Sequence, residues 1–324
     1  MDFARRGFLK TAVGVTALAA APRRRAHAQT YPTRPVRLVV GQPAGTAPDT
    51  IARLLAEWLG QRLGQAVVVE NRPGAGLNLA TEIVAHAAPD GYTLLLSSLT
   101  NAINATLYEH LPFDFARDIA PVAFVGDNAF VMVVTPSFPA KDAAEFIAYA
   151  KANPGKVNMA SAGSGTAPHI FGELFKTMAG LDLTHVPYSG SFYPDLIAGQ
   201  VQVAFTAIAG SLGFIKAGKL RALAVTTARP AVQLPDVPPL DRFVPGYQAS
   251  AWLGVGAPKA TPAAIVEKLS TEINASLADP SNKARLAALG VEPSPMSPAA
   301  LEKFTADETQ KWAKVITSAH IKAE

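Results

Sequence analysis

The chain has 324 residues, of which 49% are hydrophobic and 17% are charged, a balance typical of a globular protein with one large or two medium domains. It contains no cysteine, which excludes disulfides, thiolate metal sites and cysteine nucleophiles. The net charge of +4 comes from the first 28 residues, because the rest of the chain carries 23 basic against 24 acidic side chains. We therefore expect no nucleic-acid partner.

The N-terminal residues 1–28 have the pattern of an export signal. Arg5 and Arg6 are followed by an uncharged run at residues 11–22 and by Ala26-His27-Ala28, an A-x-A cleavage pattern. The paired arginines and the weakly hydrophobic run favour the twin-arginine route, with Sec export as the alternative. The run is too short for a spanning helix, which needs ~20 apolar residues. We predict a periplasmic protein that is cleaved near Ala28.

A predicted strand at residues 36–40 leads through a loop of small residues into a predicted helix. The helix is indicated by apolar residues that recur at helical spacing over residues 51–63. Thr46 and Asp49 have the spacing of a capping box, with Pro48 in the first turn. Such a loop presents backbone N–H groups at the positive end of a helix dipole, where an anion is favoured. Ordinary turn and capping chemistry is the alternative interpretation.

A second glycine-rich loop, at residues 161–169, repeats this arrangement between a predicted strand and a predicted helix. The tetrapeptide Gly-Thr-Ala-Pro occurs in both loops, at residues 45–48 and 165–168. Two matching helix starts that favour anions indicate two lobes facing one ligand.

Predicted strands alternate with predicted helices along the chain, which indicates mainly parallel sheets with ligands at the carboxyl ends of the strands. A strand at residues 92–96 delivers Ser98, Thr100 and Asn101 to that end, where their hydroxyl and amide groups are ligand candidates. Capping of the next helix explains these residues equally well.

Extended segments at residues 126–135 and 245–257 predict a double crossover between two lobes, and such crossovers act as hinges. The predicted lobes are residues 29–130 plus 251–324 and residues 131–250. The helical tail is expected to pack against the first of these lobes.

The sequence contains none of the catalytic or metal motifs that we sought. The six histidines lack metal-ligand spacing, so no metal is expected, and neither loop fits the dinucleotide, P-loop or serine-hydrolase pattern. His169 near Ser164 leaves acyl transfer by a periplasmic hydrolase as an alternative. The predicted cleft is otherwise rich in backbone donors and hydroxyls and poor in general acids and bases. This composition is typical of recognition, so no enzyme activity and no cofactor are predicted.

Blocks of residues along essentially the whole mature chain resemble the Bug-type receptors, the extracytoplasmic solute receptors of tripartite tricarboxylate transporters. Each block alone is weak, but together they occur in the family's order. The blocks include Tyr31-Pro32, Pro43-Ala44-Gly45 with Asp49, Glu70-Asn71-Arg72-Pro73-Gly74-Ala75-Gly76, Asp90-Gly91-Tyr92-Thr93-Leu94, Ser161-Ala162-Gly163 with Gly165, His185-Val186-Pro187-Tyr188, Gly199-Gln200-Val201 and Trp252 with Gly254.

This resemblance implies an α/β, two-lobed periplasmic-binding-protein fold of the type II kind with a double-crossover hinge. It also implies capture of a small carboxylate and its delivery to the membrane subunits of a tripartite tricarboxylate-type transporter, by a protein that we expect to be a monomer. A ligand sensor for a membrane signalling kinase is the alternative. Carrying the family's ligand-binding loops over to this chain gives Ala44, Gly45, Thr46, Ser161, Ala162, Gly163, Gly165 and Thr166, and further candidates are Asp49, Ser98, Thr100, Asn101 and His169.

The departures from the family pattern fall where the distal end of the ligand would be read, and they include Ala44-Gly45 in place of a glycine pair and Leu77 after Gly76. Thr206 stands where the family often has an acid, and the loop at residues 189–193 is shorter than usual. Phe192 and Tyr193 in that loop make an aromatic or otherwise apolar carboxylate a candidate ligand. The resemblance therefore leaves the identity of the ligand open.

Overall fold

The computed structural model describes residues 31–323, and the predicted export signal lies outside the described residues. In chain order the strands are β1 (Val36–Val40), β2 (Val67–Asn71), β3 (Thr93–Ser98), β4 (Ile119–Asn128), β5 (Phe130–Val134), β6 (Asn158–Ser161), β7 (Thr184–Pro187), β8 (Val203–Ala207), β9 (Arg221–Val225), β10 (Ala251–Pro258) and β11 (Val291–Glu292). The α-helices are α1 (Ala47–Leu63), α2 (Asn78–Ala85), α3 (Leu99–Leu107), α4 (Phe115–Asp118), α5 (Ala143–Ala152), α6 (Ala167–Ala179), α7 (Tyr193–Ala198), α8 (Ile208–Lys216), α9 (Ala263–Ala278), α10 (Pro280–Ala288) and α11 (Pro298–Ser318).

The strands form two mixed sheets. A six-stranded sheet has the order β11-β4-β10-β3-β1-β2, and a five-stranded sheet has the order β7-β6-β8-β5-β9. In the first sheet β1 is parallel to β2 and β3, whereas β10 is antiparallel to its neighbours. In the second sheet β6 is parallel to β7 and β8, whereas β5 is antiparallel to its neighbours. We call the parts built on these sheets the first and the second lobe, and they confirm the predicted two-lobed α/β fold.

Burial explains why the apolar runs form the central strands. Every residue of β3 is buried, and in β1 only Arg37 is exposed, because helices cover both faces of this part of the sheet. The apolar residues at helical spacing in α1 lie in the same buried cluster as alternate residues of β1, among them Ile51 and Leu55 with Leu38. The predicted amphipathic helix therefore packs as its pattern requires.

The chain crosses between the lobes twice, as predicted. It leaves the first sheet after Asn128, begins β5 of the second sheet at Phe130, and re-enters the first sheet at Ala251. The two crossing segments are joined by a hydrogen bond from the Ser250 hydroxyl to Asp127 Oδ1 at 2.5 Å. The residue boundaries of the lobes given above stay a prediction.

The last helix differs from the expectation that the tail packs on the first lobe. α11 contacts α3 and β4 of the first lobe, but it also contacts α6 of the second lobe. Trp312 of α11 stacks on Phe171 of α6 with ring centroids 5.4 Å apart. α11 therefore bridges both lobes. None of the helices within residues 31–323 is both long enough and apolar enough to cross a membrane.

Candidate functional site

The N-termini of three helices meet at one cavity between the lobes. Ala47 and Pro48 of α1 and Ser98, Leu99 and Thr100 at the start of α3 line it from the first lobe, and Ala167 of α6 lines it from the second. The cavity, which we call the interlobe cleft, holds about 570 Å³ of space that is partly open to solvent. Because each helix N-terminus carries a partial positive charge, three of them make the cleft favourable for an anion.

The loop before α1 is closed by its own side chains. The Gly45 N–H donates to Asp49 Oδ2 at 2.9 Å, and the Thr46 hydroxyl donates to the Pro43 carbonyl at 2.8 Å. The predicted capping box between Thr46 and Asp49 is therefore wrong. The Thr46 hydroxyl is used on the carbonyl behind it, and the carboxylate reaches the N–H of the residue before the cap.

The loop before α6 repeats this geometry. The Gly165 N–H donates to His169 Nδ1 at 3.0 Å, and the Thr166 hydroxyl donates to the Gly163 carbonyl at 2.7 Å. Each loop thus has a glycine in the left-handed region, with φ of +83° at Gly45 and +74° at Gly165. The repeated tetrapeptide encodes a repeated structure, in which Asp49 and His169 occupy equivalent positions.

This closure determines which groups of the loops face the cleft. The N–H groups of Gly45 and Gly165 are bonded inside their loops, whereas the helix starts that follow them, Ala47 and Ala167, face the cleft. These two alanines were missed by the sequence analysis. Their signal was available, since they are the third residue of the repeated Gly-Thr-Ala-Pro.

The predicted site residues therefore fall into three groups. Two of them, Ser98 and Thr100, line the cleft itself. Those at the loop surfaces are exposed or half-buried: Ala44, Gly45, Thr46, Ala162, Gly163 and Thr166. Those that are buried and do not line the cleft are Asp49, Asn101, Ser161, Gly165 and His169.

Asp49 is buried and stabilises the first loop through hydrogen bonds. Its carboxylate accepts hydrogen bonds from Gly45, from Arg53 Nε at 3.0 Å and from Asn71 Nδ2 at 2.9 Å. The hydrogen bond from Arg53 is the largest influence on its pKa, and the donors together lower the pKa to about 2 against the opposing effect of burial. Asp49 therefore stays ionised, and its charge is matched by Arg53 instead of by a ligand.

His169 has a comparable structural place behind the second loop. Its ring stacks on His185 with centroids 3.6 Å apart, and its Nε2 lies 3.7 Å from Glu173 Oε1. Burial alone would raise the pKa of Glu173, but the nearby His169 and the hydrogen bond from Lys176 lower it. His169 lines a separate open cavity with Glu173 and His185, so its ring serves the loop and not the wall of the interlobe cleft.

Asn101 caps α3, which is the simpler of the two roles considered for it. Its Oδ1 accepts from the Ser98 N–H at 2.8 Å, and its Nδ2 donates to the Thr81 hydroxyl at 2.7 Å. The side chain is thereby held inside the first lobe, where it fixes the start of the helix whose first turn lines the cleft.

The fold and the cleft define a two-lobed solute-binding protein. The family model described as "Tripartite tricarboxylate transporter family receptor" matches residues 51–321. Protein BugT of Bordetella pertussis is 37% identical over 89% of this chain and 90% of its own. The chain therefore belongs to the tripartite tricarboxylate transporter receptor family.

Two solved structures are similar to this chain over nearly all of their length. R. palustris Rpa4515, solved with adipate, is 35% identical with a TM-score of 0.75, covering 90% of this chain and 99% of that one. MatC (Rpa3494) from Rhodopseudomonas palustris, solved with bound malate, is 32% identical with a TM-score of 0.72, covering 88% and 100%.

Proposed function

We propose that the protein captures a small carboxylate in the interlobe cleft and delivers it to a tripartite tricarboxylate-type membrane transporter. The observation that carries this proposal is the meeting of three helix N-termini at one cavity between the lobes. The adipate and malate bound by two similar proteins support the choice of a carboxylate as the anion.

The physical basis is that helix starts can replace a buried cation. Each N-terminus stabilises an anion by about 0.3–1 kcal/mol at an exposed site and by up to about 2 kcal/mol where it is partly buried. Fixed N–H groups and the hydroxyls of Ser98 and Thr100 can satisfy the carboxylate oxygens without an arginine. Lobe closure about the two crossovers would then exclude water from the bound acid.

The predicted export signal and the membership of this family support the proposal that the protein works in the periplasm, where it would act as a monomer. Fractionation of cells should find the mature chain, beginning at Gln29, in the periplasm. Deleting the gene should abolish uptake of the bound acid. Retained uptake together with lost induction of a reporter gene would contradict delivery and favour the sensor.

The site can be tested by substitutions that introduce a negative charge into the cleft lining. Ala47→Asp and Ala167→Asp each put a carboxylate at the first position of a helix that lines the cleft. We expect each to weaken carboxylate binding at least about 100-fold by repulsion, measured by titration calorimetry after screening acids by thermal shift.

The matched control is Ala263→Asp, an exposed first position of α9 that is not part of the cleft. An acid at a helix N-terminus is stabilising, so all three variants should keep the melting temperature of the ligand-free protein. Unchanged affinity in both cleft variants would show that the carboxylate does not bind at this site.

A further inference from the structure

The walls of the interlobe cleft away from the helix starts are neutral. Ile51, Leu253, Leu289 and Val291 supply apolar surface, and Gln42 and Asn128 supply amides. Among the residues that line the cleft within the described part of the chain, none has an ionisable side chain. The helix starts are thus suited to an anion, and the rest of the lining offers no charged side chain to meet a second one.

The acidic side chains that lie behind the two loops are paired within their own lobes. Asp49 is paired with Arg53 at 3.0 Å, and Glu173 is paired with Lys176 at 2.8 Å. Thr206, at the position where the family often has an acid, shares a hydrogen bond of 2.5 Å with the Tyr193 hydroxyl. Asp49, Glu173 and Thr206 could bind a ligand only if the contacts with these partners were broken.

Two residues of the cleft lining have neutral amide side chains with an unsatisfied oxygen. Gln42 Oε1 and Asn128 Oδ1 are both buried without a hydrogen-bond partner among the described residues, and both residues line the cleft. A ligand hydroxyl satisfies such an amide in either orientation of its O and N atoms, because a hydroxyl both donates and accepts. A second carboxylate could be met only by the NH2 group of such an amide, and it would lose its water beside the apolar wall.

We propose that the ligand is a monocarboxylate whose remaining part is uncharged and largely apolar, with a hydroxyl tolerated at its distal end. This inference rests on the proposed function, since it assigns the carboxylate to the helix starts. It separates this chain from receptors that need two charged ends on the ligand.

The test compares acids that differ only in the charge of the distal end. Butanoate with succinate, hexanoate with adipate, and octanoate with suberate form pairs of equal length, and 6-hydroxyhexanoate adds a neutral polar end. Titration calorimetry on the mature protein should show, for the length that fits, at least about tenfold tighter binding of the monocarboxylate than of its partner. The hydroxy acid should bind at least as tightly as hexanoate.

A cation placed in the apolar wall should reverse this preference. Leu289 lines the cleft directly after the C-terminus of α10, where a positive charge is favourable for the helix, so Leu289→Arg should fold and should favour the dicarboxylate. Its neighbour Ala288 is exposed and is not part of the lining, so Ala288→Arg should keep the monocarboxylate preference.

The outcomes separate the two proposals. Equal or tighter binding of a dicarboxylate by the natural chain would overturn the monocarboxylate inference and leave the carboxylate receptor standing. Absence of binding by any acid of the series and by aromatic acids such as benzoate would overturn both. If Leu289→Arg fails to fold, the comparison on the natural chain still decides.

Discussion

At the scale of single residues, the two loops hold equivalent glycine N–H groups with different side chains. Asp49 and His169 each accept the N–H of the glycine four residues before, one through a carboxylate and the other through a ring nitrogen. Both are buried, and both are held by further partners behind the loop. Their shared role is to fix the backbone that precedes a helix start in the cleft lining.

The ionisation of Asp49 predicts a dependence of stability on pH. Its folded pKa of about 2 lies below its ordinary value of 3.8, so the stabilisation is complete above pH 4 and is lost as pH falls towards 2. Because Arg53 is half exposed, we expect Asp49→Asn to lower the free energy of unfolding by only about 1–2 kcal/mol at pH 7, and by less near pH 3.

Urea unfolding at the two pH values measures this difference. Asp307→Asn is the control, because Asp307 pairs with Lys303 and both side chains are mostly exposed, so its loss should stay within about 0.5 kcal/mol. A cost of Asp49→Asn that is the same at both pH values would contradict the proposed ionic role.

At the scale of elements, the repeated loops differ in what they approach. A Cβ added to Gly45 would meet nothing within 4 Å, whereas a Cβ added to Gly165 would lie 2.6 Å from Leu107 Cδ2. Leu107 ends α3 of the first lobe, so the second loop touches the opposite lobe where it follows β6. Gly165 therefore serves the close approach of the lobes as well as the turn.

This difference gives a matched pair of variants. Gly45→Ala and Gly165→Ala both strain a left-handed backbone by about 1 kcal/mol, and Gly165→Ala adds a clash of about 1–3 kcal/mol. We expect Gly165→Ala to cost more stability and more ligand affinity than Gly45→Ala, as measured by urea unfolding and calorimetry. When Leu107→Ala is combined with Gly165→Ala, the additional loss of stability and affinity should disappear. If that additional loss persists, the contact between the lobes is not its cause.

At the scale of the whole molecule, α11 joins the lobes through two tryptophans. Glu308 Oε2 accepts from the indole N–H of Trp252 in β10 at 3.2 Å and from that of Trp312 at 2.8 Å. Trp312 is fully buried and stacks on Phe171 of the second lobe. One buried cluster consequently runs through both lobes, from Val39 to Phe205, and includes both tryptophans.

We therefore predict one cooperative unfolding transition for the two lobes, with Trp312 as its link. Trp312→Ala should lower the free energy of unfolding by about 3–5 kcal/mol and should broaden or divide the calorimetric peak. Trp58→Ala is the control, since Trp58 is half-buried in the first lobe, and it should shift the peak without dividing it. If Trp58→Ala broadens or divides the calorimetric peak more than Trp312→Ala does, Trp312 does not couple the unfolding of the two lobes.

The family, the two-lobed α/β fold, the two crossovers and the repeated loops could be predicted from the sequence, because they follow from patterns within a few residues and from blocks in a fixed order. Helix and strand periodicity, glycine at turns and the repeated tetrapeptide act through local hydrogen bonds, so they can be read without the fold.

Neither the atoms that face the cleft nor the residues that connect the lobes could be predicted without the packed structure. The spacing predicts a capping box between Thr46 and Asp49. The carboxylate of Asp49 instead accepts hydrogen bonds from Gly45, Arg53 and Asn71, and Asn71 lies at the end of β2. Gln42, Asn128 and Leu289 are far apart in the chain and share one cleft because the order of the strands brings their ends together. Contacts of this kind depend on packing between distant segments, for which a single sequence carries no local signal.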